Sequence, residues 1–219
     1  YSDPDKNKKT LFIWPEGVFS GYSYNEILSF KDLFLNNFSN KHFIIFGINK
    51  LNPRSDSFYN SMIVTNNEFE VIQIYNKRKL VPFGEYIPFE RILRGLIDFF
   101  DLPMSQVRPG KNNITSLKVG DYIFSPFICF DISFENLFRK NIDKSSWFVI
   151  NVSNDSWFGN SIGPYQHLEI LKTRANENKI FILRATNDGI SAVISNKGTI
   201  VDKIEKGEST VLNSYAYTG

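Results

Sequence analysis

The chain holds one cysteine, Cys129, among its 219 residues. It closes the apolar run Phe124-Ser125-Pro126-Phe127-Ile128 and precedes a helical pattern, Phe134 to Lys140. A thiol at such a corner, facing solvent and close to a helix N-terminus, is biased toward the thiolate, its nucleophilic form. A single cysteine equally fits a core thiol, because free Cys is among the most buried residue types. Two further residues bear on the choice. Glu16 lies just past the apolar run Thr10 to Trp14, and Lys77 just past the run Glu70 to Asn76. A carboxylate beside a thiol takes its proton as general base and returns it to a leaving group as acid. A lysine beside both keeps the carboxylate ionised, stabilises the thiolate and balances a developing oxyanion. Together the three residue types suit acyl transfer through a thioester. Taken singly, Glu16 is an ordinary loop carboxylate and Lys77 a solvated lysine at a strand end; their spacing does not by itself bring them together.

The elements that would have to position these residues are legible as alternating patterns. Thr10 to Trp14 is expected to be a strand stopped by Pro15. Ser23-Tyr24-Asn25-Glu26 has the form of a capping box, followed by Ile27, Phe30, Leu33, Phe34 and Phe38 at helical spacing. Phe43 to Ile48 is expected to be a buried strand, and Ser61 to Thr65 with Glu70 to Asn76 a hairpin around Asn66-Asn67. In its second strand Val71, Gln73, Tyr75 and Lys77 share one face by the two-residue period. Leu80 to Pro88 is a loop punctuated by Pro and Gly. Arg91 to Phe100 fits a short helix, and Arg91 to Arg108 fits either a lid or a helix packed on the core. Tyr122 to Phe130 and Trp147 to Val152 are expected to be strands, with a polar loop from Ser153 to Gly163. Pro164 to Asn178 is the clearest helix, with Leu168, Leu171 and Ala175 on one face. Phe181 to Thr186, Ile190 to Ser195 and Thr199 to Ile204 complete the strands, the last two joined by Asn196-Lys197-Gly198. Strands alternating with helices, plus antiparallel hairpins, indicate a layered α/β domain with helices covering sheet faces. The strand ends then gather where loops build a site.

Composition narrows the function classes. The net charge is only +2, from 25 basic and 23 acidic residues, with no long basic run, so nucleic acid is not an expected partner. One cysteine excludes an internal disulfide and any multi-cysteine metal site, and His42 and His167 lack zinc spacing; neither metal nor cofactor is expected. The aromatic share of 16% is high, with 21 Phe and 10 Tyr, enough to supply both a core and an exposed apolar surface. No apolar run reaches the length of a membrane helix, and no signal peptide opens the chain. Because Tyr1 is not an initiator methionine, the chain is expected to be a piece of a longer one.

Trp14-Pro15-Glu16, Tyr75-Asn76-Lys77-Arg78-Lys79 and Ile128-Cys129-Phe130-Asp131 resemble, in that order, the Glu, Lys and Cys motifs of the nitrilase superfamily. Within it, several stretches resemble the apolipoprotein N-acyltransferase family: Leu80-Val81-Pro82-Phe83-Gly84-Glu85-Tyr86-Ile87-Pro88, Ser153-Asn154-Asp155-Ser156-Trp157-Phe158-Gly159, Gly163-Pro164-Tyr165-Gln166-His167 and Arg184-Ala185-Thr186-Asn187-Asp188-Gly189-Ile190-Ser191. The resemblance spans roughly Leu11 to Gly219. It implies an α/β fold, a nitrilase-like α-β-β-α sandwich of two mixed sheets packed face to face with helices outside, formed by residues 1–219 as one domain. It implies Cys129 as nucleophile, Glu16 as general base and acid, and Lys77 as oxyanion partner. Glu85 corresponds to a further essential carboxylate near the thiol, and Trp157 to an aromatic placed near the site. Where the family usually carries Glu, this chain has Asp131, one methylene shorter; on a continuing strand it would share a face with Cys129. The implied partners are a phospholipid acyl donor and a diacylated apolipoprotein acceptor. The implied setting is the bacterial inner membrane, with the domain on the periplasmic side between membrane helices absent from this chain, and with the protein a monomer.

Two rivals stand beside that reading: a soluble amidase of the same superfamily, with water as acceptor, and a non-catalytic domain binding lipid or a partner through its aromatic surface. Gly159-Asn160-Ser161-Ile162-Gly163 also fits the G-x-S-x-G pattern of serine hydrolases. That elbow requires the serine on a tight turn directly between strand and helix. Here a polar loop separates strand and motif, so the match is read as chance and His167 is given no chemical role.

Overall fold

The computed structural model describes residues 4–19, 21–22, 24–52, 55, 57–82, 84–86, 107–111 and 114–215, apart from the side chains at 25, 33 and 34. Ser23 of the capping box, the helix expected over Arg91 to Phe100 and most of the lid segment lie outside the described residues.

Two mixed sheets form the centre. The first has four strands in the order β1 (Thr10–Glu16), β2 (His42–Leu51), β3 (Phe58–Thr65) and β4 (Val71–Asn76). Pairing of β1 with β2 is parallel, whereas β3 runs antiparallel to both neighbours. The second has six strands, β5 (Leu117–Val119), β6 (Tyr122–Ile128), β7 (Phe148–Asn154), β8 (Phe181–Asn187), β9 (Ser191–Ile194) and β10 (Ile200–Ile204), in sequential order across the sheet. Its central strands β6, β7 and β8 are parallel.

The sheets pack face to face. Ile45, Met62, Val64 and Tyr75 from the first meet Phe124, Ile128, Ile150 and Val152 from the second. Burial of this apolar surface supplies the main stabilisation between the layers. On the outer face of the six-stranded sheet lie α3 (Glu135–Asn141) and α4 (Gly163–Asn178), and Leu168, Leu171 and Ala175 are buried there with Phe127, Val149 and Ile182. The outer face of the four-stranded sheet is covered by α1 (Tyr24–Ile27), a 3-10 turn (Leu28–Phe30) and α2 (Lys31–Asn37), where Ile27 and Phe38 pack on Ile44, Phe46 and Ile63. This is the α-β-β-α layering expected from the sequence.

Several boundaries differ from expectation, each for a local reason. Pro15 does not stop β1. That strand is an edge of its sheet, where a missing N–H is tolerated, and the pairing with β2 becomes irregular between Ile13 and Glu16. The helix read through Phe38 is broken by the 3-10 turn, which leaves Phe30 40% exposed against the Tyr22 ring. Val71 does not share the face of Tyr75 and Lys77. Pairing shifts between Val64 and Thr65, and Val71 packs in the outer cluster with Ile74. The strand expected through Phe130 ends at Ile128, and Cys129 to Ser133 form a 3-10 turn before α3. Strand β5 has only three residues, too few for a two-residue period to stand out.

Candidate active site

Strand direction brings Glu16 and Lys77 together. Since β1, β2 and β4 point the same way, the carboxyl ends of β1 and β4 lie at one edge of the four-stranded sheet, together with the amino end of antiparallel β3. Asn60, near that end of β3, bridges the gap. Its Nδ2 donates to Glu16 Oε1 at 2.6 Å and to Glu85 Oε1 at 2.8 Å, and its carbonyl accepts from the Lys77 backbone N–H at 2.8 Å. Gly47 makes room for the irregular end of β1. A Cβ there would stand 2.7 Å from the Glu16 Cα, inside any normal contact distance.

Lys77 is 1% exposed, and its Nζ lies 2.7 Å from Glu85 Oε2. The same oxygen of Glu85 accepts from the Val81 N–H at 2.9 Å, so Glu85 is tied back to the chain just after β4. The parallel strands of the second sheet deliver their carboxyl ends to this edge. Asn154, ending β7, donates its backbone N–H to Glu16 Oε2 at 3.0 Å. Cys129 follows β6 directly, with a positive φ of 50° that turns the chain out of the sheet.

The electrostatics tie these groups into one unit. Burial, helped by the Glu16 charge, pushes the Cys129 thiol up to about 11, against the pull of Lys77 and the Ser153 hydroxyl. Burial raises the Glu16 carboxyl above its ordinary value, opposed by Lys77 and by the Asn60 hydrogen bond. For Lys77, burial acts to lower the pKa, but the surrounding acidic groups, Cys129 with Glu16, Glu85 and Asp131, outweigh it, so that the ammonium is the last of these groups to give up its proton. The resting arrangement is therefore a neutral thiol, a carboxyl poised to exchange a proton, and a fixed buried cation.

The expectation of a solvent-facing thiol biased to thiolate by a helix is corrected. Cys129 is half-buried and opens a 3-10 turn that runs to Ser133, so the turn and Phe134 stand between it and α3, and desolvation dominates over any helix-end field. Asp131 also sits differently. Because the strand has ended, it shares no strand face with Cys129. It is fully buried with Oδ2 accepting from the Tyr75 hydroxyl and Oδ1 from the Lys79 N–H, both at 3.2 Å. There it braces the backbone two residues beyond Lys77, and burial lifts its carboxyl to about 7. Trp157 lies in a 3-10 turn after Asn154 and is 76% exposed, outside the buried cluster. Ser161 is on the exposed loop and its hydroxyl accepts from the Gly163 N–H, with no strand-to-helix elbow around it. Among the described residues no three His, Cys, Asp or Glu side chains converge as metal ligands.

Sequence reasoning missed Asn60, the Asn154 N–H and a second polar cluster behind Cys129. In that cluster Asp155, His167 and Arg184 are all buried: Arg184 Nη2 lies 2.5 Å from Asp155 Oδ2, and His167 Nδ1 lies 3.2 Å from Asp155 Oδ1. Burial and the neighbouring Arg184 charge lower the His167 pKa and keep its ring neutral, although Asp155 pulls the other way. The available signal was the clustering of polar residues in Ser153 to Asp155, read as a loop, and in Arg184 to Asn187, at the end of an expected strand, both in stretches marked only by their family resemblance.

Comparison with known proteins places these features in context. The family described as carbon-nitrogen hydrolase matches residues 3–214. The apolipoprotein N-acyltransferase of Vibrio cholerae serotype O1 is 36% identical over 216 residues, covering 93% of this chain and 41% of that protein. The protein of the same name from Pseudomonas syringae pv. tomato is 44% identical over 156 residues, covering 71% of this chain and 30% of that protein. This chain thus spans about two fifths of the length of such relatives at the fullest coverage. Among solved structures, Saccharomyces cerevisiae Nit3, a member of branch 10 of the nitrilase superfamily, superposes with a TM-score of 0.64 at 21% identity, covering 91% of this chain and 74% of that one. An amidase of the nitrilase superfamily from Nesterenkonia AN1 gives 0.61 at 16% identity, covering 90% and 73%. At those identities the likeness is one of fold.

Proposed function

The chain belongs to the carbon-nitrogen hydrolase family, and from that premise we propose that it is the catalytic domain of an apolipoprotein N-acyltransferase. The observation that carries the reading is the convergence of Glu16, Lys77 and Cys129 at one edge of the sandwich, in a chain similar over 93% of its length to enzymes of that name.

In the first half-reaction Glu16 takes the Cys129 proton as Sγ attacks an ester carbonyl of a phospholipid. The Lys77 ammonium, fixed by Glu85, balances the charge on the tetrahedral oxygen. Collapse breaks the ester C–O bond, Glu16 returns the proton to the departing oxygen, and a lysophospholipid leaves a thioester on Cys129. In the second half, the N-terminal amine of a diacylated lipoprotein attacks the thioester. Glu16 takes a proton from nitrogen, the C–S bond breaks, and the thiol is restored. A neutral resting thiol suits this ping-pong cycle, since Glu16 then takes its proton as Sγ attacks.

The supporting residues have distinct parts. Glu85 holds Lys77, Asp131 braces the Lys77–Lys79 backbone, and Trp157 and Ile162 of the loop after Asn154, with Tyr165 in the first turn of α4, present exposed apolar surface. Among the described residues no helix is long and apolar enough to cross a membrane. The reading places the domain, residues 1–219, on the periplasmic face of the bacterial inner membrane, anchored by flanking segments and working as a monomer without cofactor.

Intact-mass spectrometry of the full-length protein in detergent, after exposure to phospholipid, tests the proposal. A mass gain of one acyl chain, absent in Cys129→Ala, supports it. No adduct on a thiol that still alkylates readily favours a soluble-type amidase with another donor. An inert thiol without adduct favours a non-catalytic domain.

A further inference from the structure

Cys129 holds a left-handed backbone, φ 50°, in a residue with a Cβ. Such a conformation persists only where its surroundings impose it. Its carbonyl accepts from the Asn151 carboxamide, whose Nδ2 lies 3.2 Å from Cys129 O and also approaches Phe127 O at 3.4 Å, and the His167 ring also bonds the Cys129 backbone. A carboxamide can turn over and present its oxygen instead, which would repel both carbonyls. Arg184 prevents this. Its Nη1 donates to Asn151 Oδ1 at 2.6 Å, and a guanidinium has only donors to offer. The fork is itself fixed on two other sides, by Asp155 at 2.5 Å and by the Ile190 carbonyl, which accepts from Nε at 3.1 Å. A Cβ at Gly189 would stand 2.6 Å from Asp155 Oδ2, so the seat of the counter-charge is cut into the β8–β9 turn.

This arrangement is costly to bury for stability alone, since ion pairs removed from water seldom outperform well-packed apolar side chains. Its donors are aimed, and one chain of them ends on the nucleophile's own peptide. We propose that Arg184 is a positioning residue: acting through Asn151, it clamps the Cys129 carbonyl, holds the left-handed turn and so aims the thiol at Glu16. The proposal rests on the reading of Cys129 as nucleophile. It gives Arg184 and Asn151 no contact with the acyl group.

The test compares Asn151→Ala, Arg184→Lys and the double variant in the full-length protein. Asn151→Ala is the decisive change, because it cuts the link while leaving the Arg184–Asp155 pair in place. Two rates are read: alkylation of Cys129 by iodoacetamide at pH 7, which needs no lipid, and acylation by phospholipid with kcat and KM separated. Expected are a tenfold or greater slowing of alkylation and a fall in kcat on the order of 10²-fold with KM little changed, because a small misplacement of a reacting atom is enough for that. The double variant should be no slower than the slower single one, since both act on one path. Rates equal to or above wild type in Asn151→Ala, with only the melting temperature lowered, would overturn the proposal, as would effects that multiply in the double variant. Should Arg184→Lys fail to fold, Asn151→Ala decides alone. If wild type gives no acyl adduct, the functional reading fails, while the alkylation comparison still decides the clamp.

Discussion

Lys77 Nζ and Glu85 Oε2 lie 2.7 Å apart, the lysine 1% and the carboxylate 16% exposed. The pair joins the end of β4 to the loop after it, and places a fixed cation beside the Cys129 thiol. Glu85→Gln should leave a buried ammonium with one neutral partner in place of a charge. Breaking a buried pair in this way costs about 3–5 kcal/mol at most sites. The expected outcome is a lower urea midpoint together with a fall in kcat of about 10²-fold, from a Lys77 no longer fixed. Denaturation curves and single-turnover acylation read the two effects separately.

Glu16→Gln keeps the shape of the side chain and an oxygen for Asn60, but removes the proton acceptor. Acylation of Cys129 should slow by about 10²–10⁴-fold, the usual contribution of a general base. Alkylation at high pH should be affected much less, because solvent hydroxide then takes the proton. A variant that acylates at the wild-type rate would remove Glu16 from the chemistry.

The thiol itself gives a pH signature. With Cys129 raised to about 11 by burial and by the Glu16 charge, its alkylation rate should keep climbing above pH 9, past the plateau region of an ordinary thiol. In Lys77→Met the rise should move to still higher pH, since Lys77 acts to lower that value. Rate profiles with iodoacetamide between pH 6 and the onset of unfolding check both.

Asp131 carries a pH dependence of stability. Its carboxyl is lifted from 3.8 to about 7 in the folded protein by burial, so the native state binds a proton that the unfolded chain releases. The sign follows: this contribution is fully present below pH 3.8 and is lost as pH rises through 7. Asp131→Asn keeps acceptor and shape without the titration. The variant should lose stability less steeply than wild type between about pH 4 and 7, as urea midpoints across that range will show.

Gly47→Ala would place a Cβ 2.7 Å from the Glu16 Cα, where neither backbone has room to yield. Overpacking of this kind costs about 1–3 kcal/mol. Here it should also displace Glu16 from Asn60 and Asn154, so that acylation falls along with thermal stability. Unchanged activity in a destabilised variant would show that the approach of β1 to β2 matters only for packing.

Read alone, the sequence determined a layered α/β domain, because apolar strands alternating with the helical stripe Leu168, Leu171, Ala175 need helices to cover sheet faces, while the two-sheet sandwich was implied by the family resemblance. It also offered the residue types on which a thioester chemistry rests, Cys129, Glu16 and Lys77, each at the end of an apolar run, and the family resemblance implied their roles. Their meeting was decided only in three dimensions. Glu16 and Asn154 are 138 residues apart in the chain, and it is the shared direction of β1, β4 and β6 to β8 that brings their ends to one edge. The burial that turns an expected thiolate into a neutral thiol is likewise a property of the packed sheets. So is the placement of Asp131, one turn off a strand that ends at Ile128. Asn60 stands just before the expected strand Ser61 to Thr65, Asn151 within the expected strand Trp147 to Val152, and Arg184 in a stretch marked only by its family resemblance. What sets them apart is which buried partner each donates to, and a hydrogen bond between distant strands leaves no mark on the local pattern from which elements are read.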